Sequence, residues 1–395
     1  CQVTSYRCTI VIIWFIMKNL SKKNIRRLLA GQSWEKTRYN YDNCYSHHLS
    51  HAAAGYYTAP FRECNILVID AIGEWETITI WDNLKKLRSW SYPYSLGLLY
   101  SAVTQYLGFK PNEEEYIVMG MSAFGEPRYN YEYLLYENNH RGIKSLEGEP
   151  VDIAASIQKL YEDELLKLVK MCPKKNLILM GGCALNCVAN SKIKGKNIWI
   201  MPSPGDAGSS LGASALKQGK INWKHPYLGH DINRHINPKE VVDDLLENKI
   251  VGVANGRAEF GPRALGNRSL LGDPRYDIKD TVNAIKKRQK FRPFAPAILE
   301  EFADEYFEGP MNRYMQFVAN AKHDYKSVTH VDNTARVQVV EKDCKSVIRP
   351  ILEEFYEKTK VPMLLNTSLN IKGKPMVNTE KDANKFTERY DINVW

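Results

Sequence analysis

Three of the chain's nine histidines, His47, His48 and His51, fall within five residues of one another. His47 and His51 stand at i and i+4, so a helix would present both imidazoles on one face. That spacing suits two ligands of one metal ion, and it also suits histidines that only hydrogen-bond near a helix start. Asp70 closes the apolar run Asn65-Ile-Leu-Val-Ile-Asp70, and Asp206 lies in the small-residue stretch Pro202-Ser-Pro-Gly-Asp206. Two imidazoles with one or two such carboxylates form a mixed nitrogen and oxygen donor set, fit for Fe(II), Mn(II) or Zn(II).

Phosphate chemistry is suggested by two other kinds of segment. Met180-Gly-Gly-Cys-Ala-Leu-Asn186 follows an apolar run, and Gly205-Asp-Ala-Gly-Ser-Ser-Leu-Gly212 precedes a helical one. Glycine lets backbone N–H groups approach phosphate oxygens, and a helix N-terminus favours the anion. Neither segment carries a dinucleotide or P-loop fingerprint, so each is also read as a plain turn. Arginines gather in Gly256-Arg-Ala-Glu-Phe-Gly-Pro-Arg-Ala-Leu-Gly-Asn-Arg-Ser269 and in Lys286-Lys-Arg-Gln-Lys-Phe-Arg-Pro-Phe-Ala-Pro296. Interleaved Gly, Pro and Phe exclude a regular solvated helix face, and the guanidinium fork matches phosphate and carboxylate. A surface basic patch and a nucleic-acid contact are the competing readings. Thr329-His-Val-Asp-Asn-Thr-Ala-Arg-Val-Gln338 contributes Arg336. The strand-like Val361-Pro-Met-Leu-Leu ends on Asn366, Thr367, Ser368 and Asn370, a pocket lining or an Asn/Ser turn.

Positioning these groups requires strands that alternate with helices. Asn65–Asp70 and Glu76–Trp81 read as a hairpin, residues 152–171 as a helix, and Asn176–Met180 as a buried strand. Residues 9–17 read as a buried strand and 18–30 as a basic helix. The polar stretch 221–238 lacks either period and reads as a domain boundary, followed by a helix at 239–247 and a strand at 249–254. The expectation is α/β, with two domains at 1–222 and 237–395.

Composition narrows the class. At 395 residues and 44% hydrophobic, the chain is long enough for two cores and is not a disordered protein. No apolar run reaches the ~20 residues of a membrane helix. The net charge of +9 suits solubility or an anionic substrate. Eight scattered cysteines without a C-x-x-C pair argue for a reducing compartment, with cytoplasm as the default. The chain opens on Cys1 and reads as a fragment or a processed form.

Taken in order, these motifs resemble the ATP-dependent O-carbamoyltransferases of nodulation-factor and antibiotic biosynthesis. The resemblance rests on His47–Ala53, Val68–Glu74, Tyr94–Ala102, Gly181–Asn190, Pro202–Gly212, Gly256–Ser269, Phe291–Pro296, Thr329–Gln338 and Leu364–Gly373. It implies an actin/sugar-kinase-like (ASKHA) carbamoyl-transfer domain followed by a YrdC-like domain. The second would form carbamoyl-adenylate from ATP, accompanied by Mg, and carbamoyl phosphate. The first would pass the carbamoyl group to a hydroxyl of a small molecule. By motif match, His47, His51, Asp70 and Asp206 are implied as metal ligands, with Fe(II) favoured. Gly181, Gly182, Asn186 and Gly208 are implied to hold the adenylate. Arg257, Arg288, Arg336 and Ser368 are implied for the carbamoyl-phosphate and ATP pocket, with Lys286 and Asn366 beside it.

The match has departures. The family's opening strand carries a His-Asp-Ser-type motif with the expected general base, and residues 1–45 contain no histidine. The expectation is a chain lacking its N-terminal strand, able to form the adenylate but slow in transfer, with His48 as a substitute base. Ile117 and Leu369 stand where Lys and Phe are common. Modification of a hydroxymethylated nucleobase, nucleic-acid binding, and a non-catalytic metal- and nucleotide-binding relative are the alternative functions.

Overall fold

Asn65–Gly73 (β1) and Asn176–Met180 (β4) are apolar along both faces, which is the pattern of strands covered on each side. In the computed structural model, which describes residues 45–371 and 373–395, both strands have that environment. Leu67, Ile69, Leu177 and Leu179 pack towards Ile153, Ile157, Leu165 and Leu168 of the helix Pro150–Lys170. Ile66, Val68, Ile178 and Met180 pack on the opposite face with Ala52 and Ala54 of the helix His47–Thr58, here α1. The expected strand at 9–17 and helix at 18–30 lie outside the described residues.

Glu76–Asp82 (β2), Lys85–Ser91 (β3) and Asn197–Ile200 (β5) complete a five-stranded sheet of order β3-β2-β1-β4-β5. β1, β2 and β3 pair antiparallel, so the expected hairpin is present. β1, β4 and β5 run parallel. Their carboxyl ends therefore share one edge, where open α/β sheets bind ligands.

The following strands are Tyr227–Ile232 (β6), Ile250–Ala254 (β7), Gly256–Glu259 (β8), Arg268–Gly272 (β9) and Ala295–Leu299 (β10). Phe307–Glu308 (β11), Ala319–Ala321 (β12), Thr334–Ala335 (β13), Gln338–Val340 (β14) and Met363–Ser368 (β15) come next. A second five-stranded sheet has the order β14-β10-β15-β9-β7. Val251, Val253, Leu271 and Leu299 face Val241, Leu245, Ile351 and Phe355, from the helices Pro238–Asn248 and Ile348–Thr359. The architecture is mixed α/β with several sheets.

Two local expectations change. The stretch 221–238 is not wholly irregular: β6 lies inside it and pairs antiparallel with β8. Asp206 is not in a loop that precedes a helix, because it opens the helix Asp206–Gln218 behind Gly205. Ser46–Trp395 folds as one compact unit although each large sheet comes from one half of it. The halves are fastened by buried polar contacts: Gln316 Nε2 donates to the carbonyls of Ile200 and Met201, and Asn190 Nδ2 donates to that of Gln316. Buried donors and acceptors that find each other in this way remove a desolvation cost that sliding the halves would restore.

α1 lies directly against the helix Asp206–Gln218. At Gly212, a Cβ would stand 1.8 Å from the Ser50 carbonyl oxygen and 2.6 Å from Ala54 N. No flexible side chain is there to yield. Gly212→Ala is therefore expected to destabilise the protein by about 1–3 kcal/mol through overpacking. It should also weaken any cation held jointly by the two helices; urea denaturation and metal titration of the variant check both outcomes.

Candidate functional site

The carboxyl edge of β1, β4 and β5 is where the predicted ligand residues meet. Asp70 is near the end of β1, Gly181 follows β4, and Asp206 follows β5 at the start of its helix. Gly181 has φ +88° and its Cβ position lies 2.1 Å from the Ile69 carbonyl oxygen, so only glycine lets the chain turn so close to β1. The next residue brings its Cα beside the Asp70 carboxylate, with the Gly182 Cβ position 3.4 Å from Asp70 Oδ1.

Over this edge α1 presents His47 and His51. His47 Nε2 is 2.7 Å from Asp70 Oδ2 and 3.4 Å from Asp206 Oδ1. His51 Nε2 is 3.4 Å from Asp70 Oδ2, 3.3 Å from Asp206 Oδ1, and 3.1 Å from His47 Nε2. All four ligand atoms lie within 4.8 Å of one another. Metal–ligand bonds of about 2.0–2.2 Å place neighbouring donor atoms ~3 Å apart, so the spacing and the donor types fit one cation. His51 and Asp70 are buried, whereas Asp206 faces outward and gives access. His51 Nδ1 finds no hydrogen-bond partner among the described residues, unlike the usual ligating imidazole.

The electrostatics of the cluster follow from this contact. His47 is pushed up to about 10 by its hydrogen bonds, first to Asp206 and then to Asp70. Burial works against a charged His51, but its hydrogen bonds to Asp206 and Asp70 outweigh burial and raise it. Burial also opposes a charged Asp70, yet the two imidazoles hold its carboxyl well below the usual range. His48 is different. It is buried beneath α1, its Nδ1 is 2.9 Å from Thr79 Oγ1, and burial pushes it down to about 4. Its imidazole is engaged with the sheet, not with the cluster.

A second centre is a cavity of about 700 Å³ to which both halves contribute. Lys286, Arg288, Arg336 and Ser368 line it, as expected from the sequence. Their donors are not equally available. Lys286 Nζ donates to the carbonyl and side-chain oxygens of Ser368 and Asn370. Burial, followed by Arg288 and Arg292, pushes its pKa well below the lysine range. Arg288 donates to Asn283 Oδ1 and the Pro293 carbonyl and lies over the Phe294 ring; burial, then Arg292 and Arg336, brings it down to about 8. Arg336 Nε is buried without a hydrogen-bond partner.

Other predicted residues stand elsewhere. Arg257 is on the exposed face of β8, its guanidinium on the carbonyls of Leu228 and Gly229, outside the cavity lining. Asn366 is buried one step behind the wall, donating to the Ala264 carbonyl and Gln338 Oε1. Asn186 caps the short helix Cys187–Asn190 and exchanges hydrogen bonds with Gln158, which lines the cavity. Gly208 lies against Ser203, where a Cβ would be 1.7 Å from its carbonyl oxygen. Ile117 and Leu369 are both core positions, which accounts for their apolar character.

Some lining residues were not singled out. Arg263, Arg292 and His330 come from the second half, and Tyr116 and Gln158 from the first. Arg292 stacks over Tyr116 at 4.5 Å, and Phe124 stands edge-on to both Phe291 and His330, so aromatic contacts join the halves around the cavity. The clustering of arginines was the available signal; which of them turned inward was not encoded in the spacing.

Comparison with known proteins places these two centres in a family. The family model described as Carbamoyltransferase N-terminus matches residues 11–142 and 130–215, and that described as Carbamoyltransferase C-terminus matches 242–395. The chain belongs to the carbamoyltransferase family. This carbamoyltransferase is 33% identical to Uncharacterized protein sll1178 of Synechocystis, over 88% of its own length and 74% of the relative's. It is 30% identical to Uncharacterized protein MJ1051 of Methanocaldococcus jannaschii, over 91% and 82% respectively. It is also 33% identical to Nodulation protein NolNO of Sinorhizobium fredii, over 92% of the chain but 64% of that relative. Among the described residues of the carbamoyltransferase, no helix is long and apolar enough to cross a membrane.

The cluster predicts a proton-linked cation site. An imidazole must be neutral to ligate, so a cation entering between these four atoms must displace the His47 proton at neutral pH. Binding of Mn(II) or Zn(II) is expected to release about one proton, with affinity rising as pH rises towards the His47 value. Asp206→Asn removes the first cause of that raised value and should reduce both proton release and affinity. Calorimetry in two buffers of different ionisation enthalpy measures each quantity.

Proposed function

We propose that the carbamoyltransferase forms carbamoyl-adenylate in the cavity and delivers its carbamoyl group to a hydroxyl of a small molecule at the His47–Asp206 cluster. The observation that carries this reading is a cavity walled by guanidiniums whose donors are not fully used by the protein. Carbamoyl phosphate and ATP bring several negative charges into one space, and preorganised cationic donors stabilise both the ligands and the charge that develops on reaction. In balance, carbamoyl phosphate, ATP and one water give carbamoyl-adenylate, phosphate and pyrophosphate.

Within this reading each residue has a task. Arg336 and Arg288 neutralise phosphate oxygens. Lys286, held by four oxygens, fixes the Ser368–Asn370 turn so that the Ser368 hydroxyl faces the ligand. Asn366 supports the wall behind Ser368, and Arg257 acts at the outer edge. Gly181 and Gly182 leave the carboxyl edge open for the adenylate, and Gly208 and Asn186 hold the backbone around it. His47, His51, Asp70 and Asp206 would hold a divalent cation, with Fe(II) as the assignment. When bound it supplies charge neutralisation and Lewis-acid polarisation at a phosphate. Magnesium accompanies ATP.

The assignment of residues 1–222 to an ASKHA-like domain and 237–395 to a YrdC-like domain is part of the same proposal. It is supported by the two large sheets, each drawn from one half, and by family matches that stop at residue 215 and resume at 242. Cytoplasm is the proposed location.

The two halves of the reaction separate by mutation. Arg336→Ala should lower pyrophosphate release from ATP with carbamoyl phosphate by about a hundredfold or more, the usual scale for losing one preorganised charged donor. Asp70→Asn should leave pyrophosphate release within a few-fold and abolish carbamoylation of an added hydroxyl acceptor. Pyrophosphate-release and product mass measurements on both variants test this. Equal release by the wild type with and without carbamoyl phosphate would remove the reading.

A further inference from the structure

Arg263 and Arg268 sit in one glycine- and proline-containing loop, Phe260–Asn267, and the start of β9, yet the protein treats them in opposite ways. Arg268 is fully buried and its guanidinium is spent on backbone: it donates to the carbonyls of Asn255, Gly256, Asn267 and His230. That is how a structural arginine is satisfied. Arg263 lines the cavity and makes no hydrogen bond or ion pair among the described residues. Its charged neighbours there include Arg336 and Arg292, and burial followed by these cations brings it down to about 9. A half-buried guanidinium facing like charges with its donor fork unspent costs stability unless an anion completes it.

The backbone that carries Arg263 is, by contrast, fixed from several directions. Glu259 Oε1 accepts from the N–H groups of Leu265, Asn267 and Arg268 at 2.7, 2.9 and 3.3 Å. Gly266 N donates to Ser269 Oγ. The carbonyl of Ala264 accepts from Asn366 Nδ2, and that of Leu265 from Gln338 Nε2 and the Tyr227 hydroxyl. Glu259 is itself buried, and its other oxygen has no partner. One carboxylate oxygen gathering three amides is an expensive arrangement, because burial opposes the charge that those amides support. Its effect is to immobilise the loop immediately after Arg263.

We infer that Arg263 is a further anion-binding residue of the cavity, contacting a phosphate or carboxylate oxygen of the ligand, and that Glu259 is the positioning residue that aims it. The inference rests on the reading that the cavity takes ATP and carbamoyl phosphate, and it adds a contact that sequence spacing did not single out. Arginine is required by this geometry: a planar fork held at a fixed angle can take two oxygens of one group, which a lysine cannot.

The test uses the full chain and calorimetric titration with pyrophosphate and with Mg-ATP at low salt. Arg263→Ala should weaken binding about tenfold to a hundredfold, the range for a charge-assisted hydrogen bond. It should leave the midpoint of thermal unfolding unchanged or raise it, since an unbalanced cation is removed. Glu259→Gln keeps the single accepting oxygen and should retain most of the affinity, whereas Glu259→Ala should lose it. In the Arg263→Ala background, Glu259→Ala should add almost nothing to the loss, because it acts through that residue. Unchanged binding by Arg263→Ala, a fall in its unfolding midpoint of several degrees, or additive losses in the double variant would each overturn the inference. If Glu259→Ala does not fold, Arg263→Ala and Glu259→Gln still decide it. Arg336→Ala is the control: if neither it nor the wild type binds either probe, the proposed function fails; if it alone loses binding, only the Arg263 assignment fails.

Discussion

The rest of the first half depends on the contact between α1 and the helix Asp206–Gln218. Two carboxylates and two imidazoles would not converge in open solvent, where each is better hydrated apart. Here the backbones approach to a distance that only Gly212 permits, and the apolar undersides of α1 and β4 hold that approach. His51 and Asp206, 155 positions apart in the chain, are thereby fixed 3.3 Å apart. The burial of Asp70 and His51 is offset by their mutual contacts, so neither charge is stranded. The metal-ligating capacity of the edge is a consequence of helix packing as much as of ligand identity.

The second half distributes its basic groups by a different rule. Positive charge is concentrated around one cavity, but the protein consumes part of it internally. Lys286 stabilises the turn after β15, Arg288 the turn before β10, and Arg268 the loop before β9. What remains for a ligand is smaller than the arginine count suggests and more sharply aimed. A surface patch for nucleic acid would show exposed, mobile cations; buried forks with spent neighbours favour a compact polyanion.

Much of this was legible in the sequence, and the omissions have physical causes. The helix at Pro150–Lys170 and the strand at Asn176–Met180 announce themselves because each must bury an apolar face, and periodicity records burial. His47, His51, Asp70 and Asp206 could be nominated because ligand chemistry restricts residue type. β6 was hidden within a polar stretch since a two-stranded pairing with β8 needs backbone hydrogen bonds and little apolar patterning. Asp206 reads as loop because Pro204 and Gly205 precede it, although both are suited to a helix start. The choice between Arg257 and Arg263 is of another kind. Six positions apart in one motif, one lies on an exposed strand and the other on a loop turned inward by Glu259, and turn direction is set by tertiary hydrogen bonds that no local spacing encodes.

The two centres are also mechanically connected. The segment from Gly182 to Cys187 touches Asp70 at its beginning and lines the cavity at its end. On the other side, Gly261 packs against the Pro202 carbonyl, with a Cβ position 2.6 Å away, so the Arg263 loop rests on the segment that leads to Asp206. An acyl-adenylate of the kind proposed is labile in water, and moving it between separately tumbling domains would expose it. Halves joined by buried hydrogen bonds and direct backbone contact have no need of such a release. The same contacts imply that a ligand pressing on the Arg263 loop acts on the backbone around Asp206, which gives occupation of one centre a physical route to the geometry of the other.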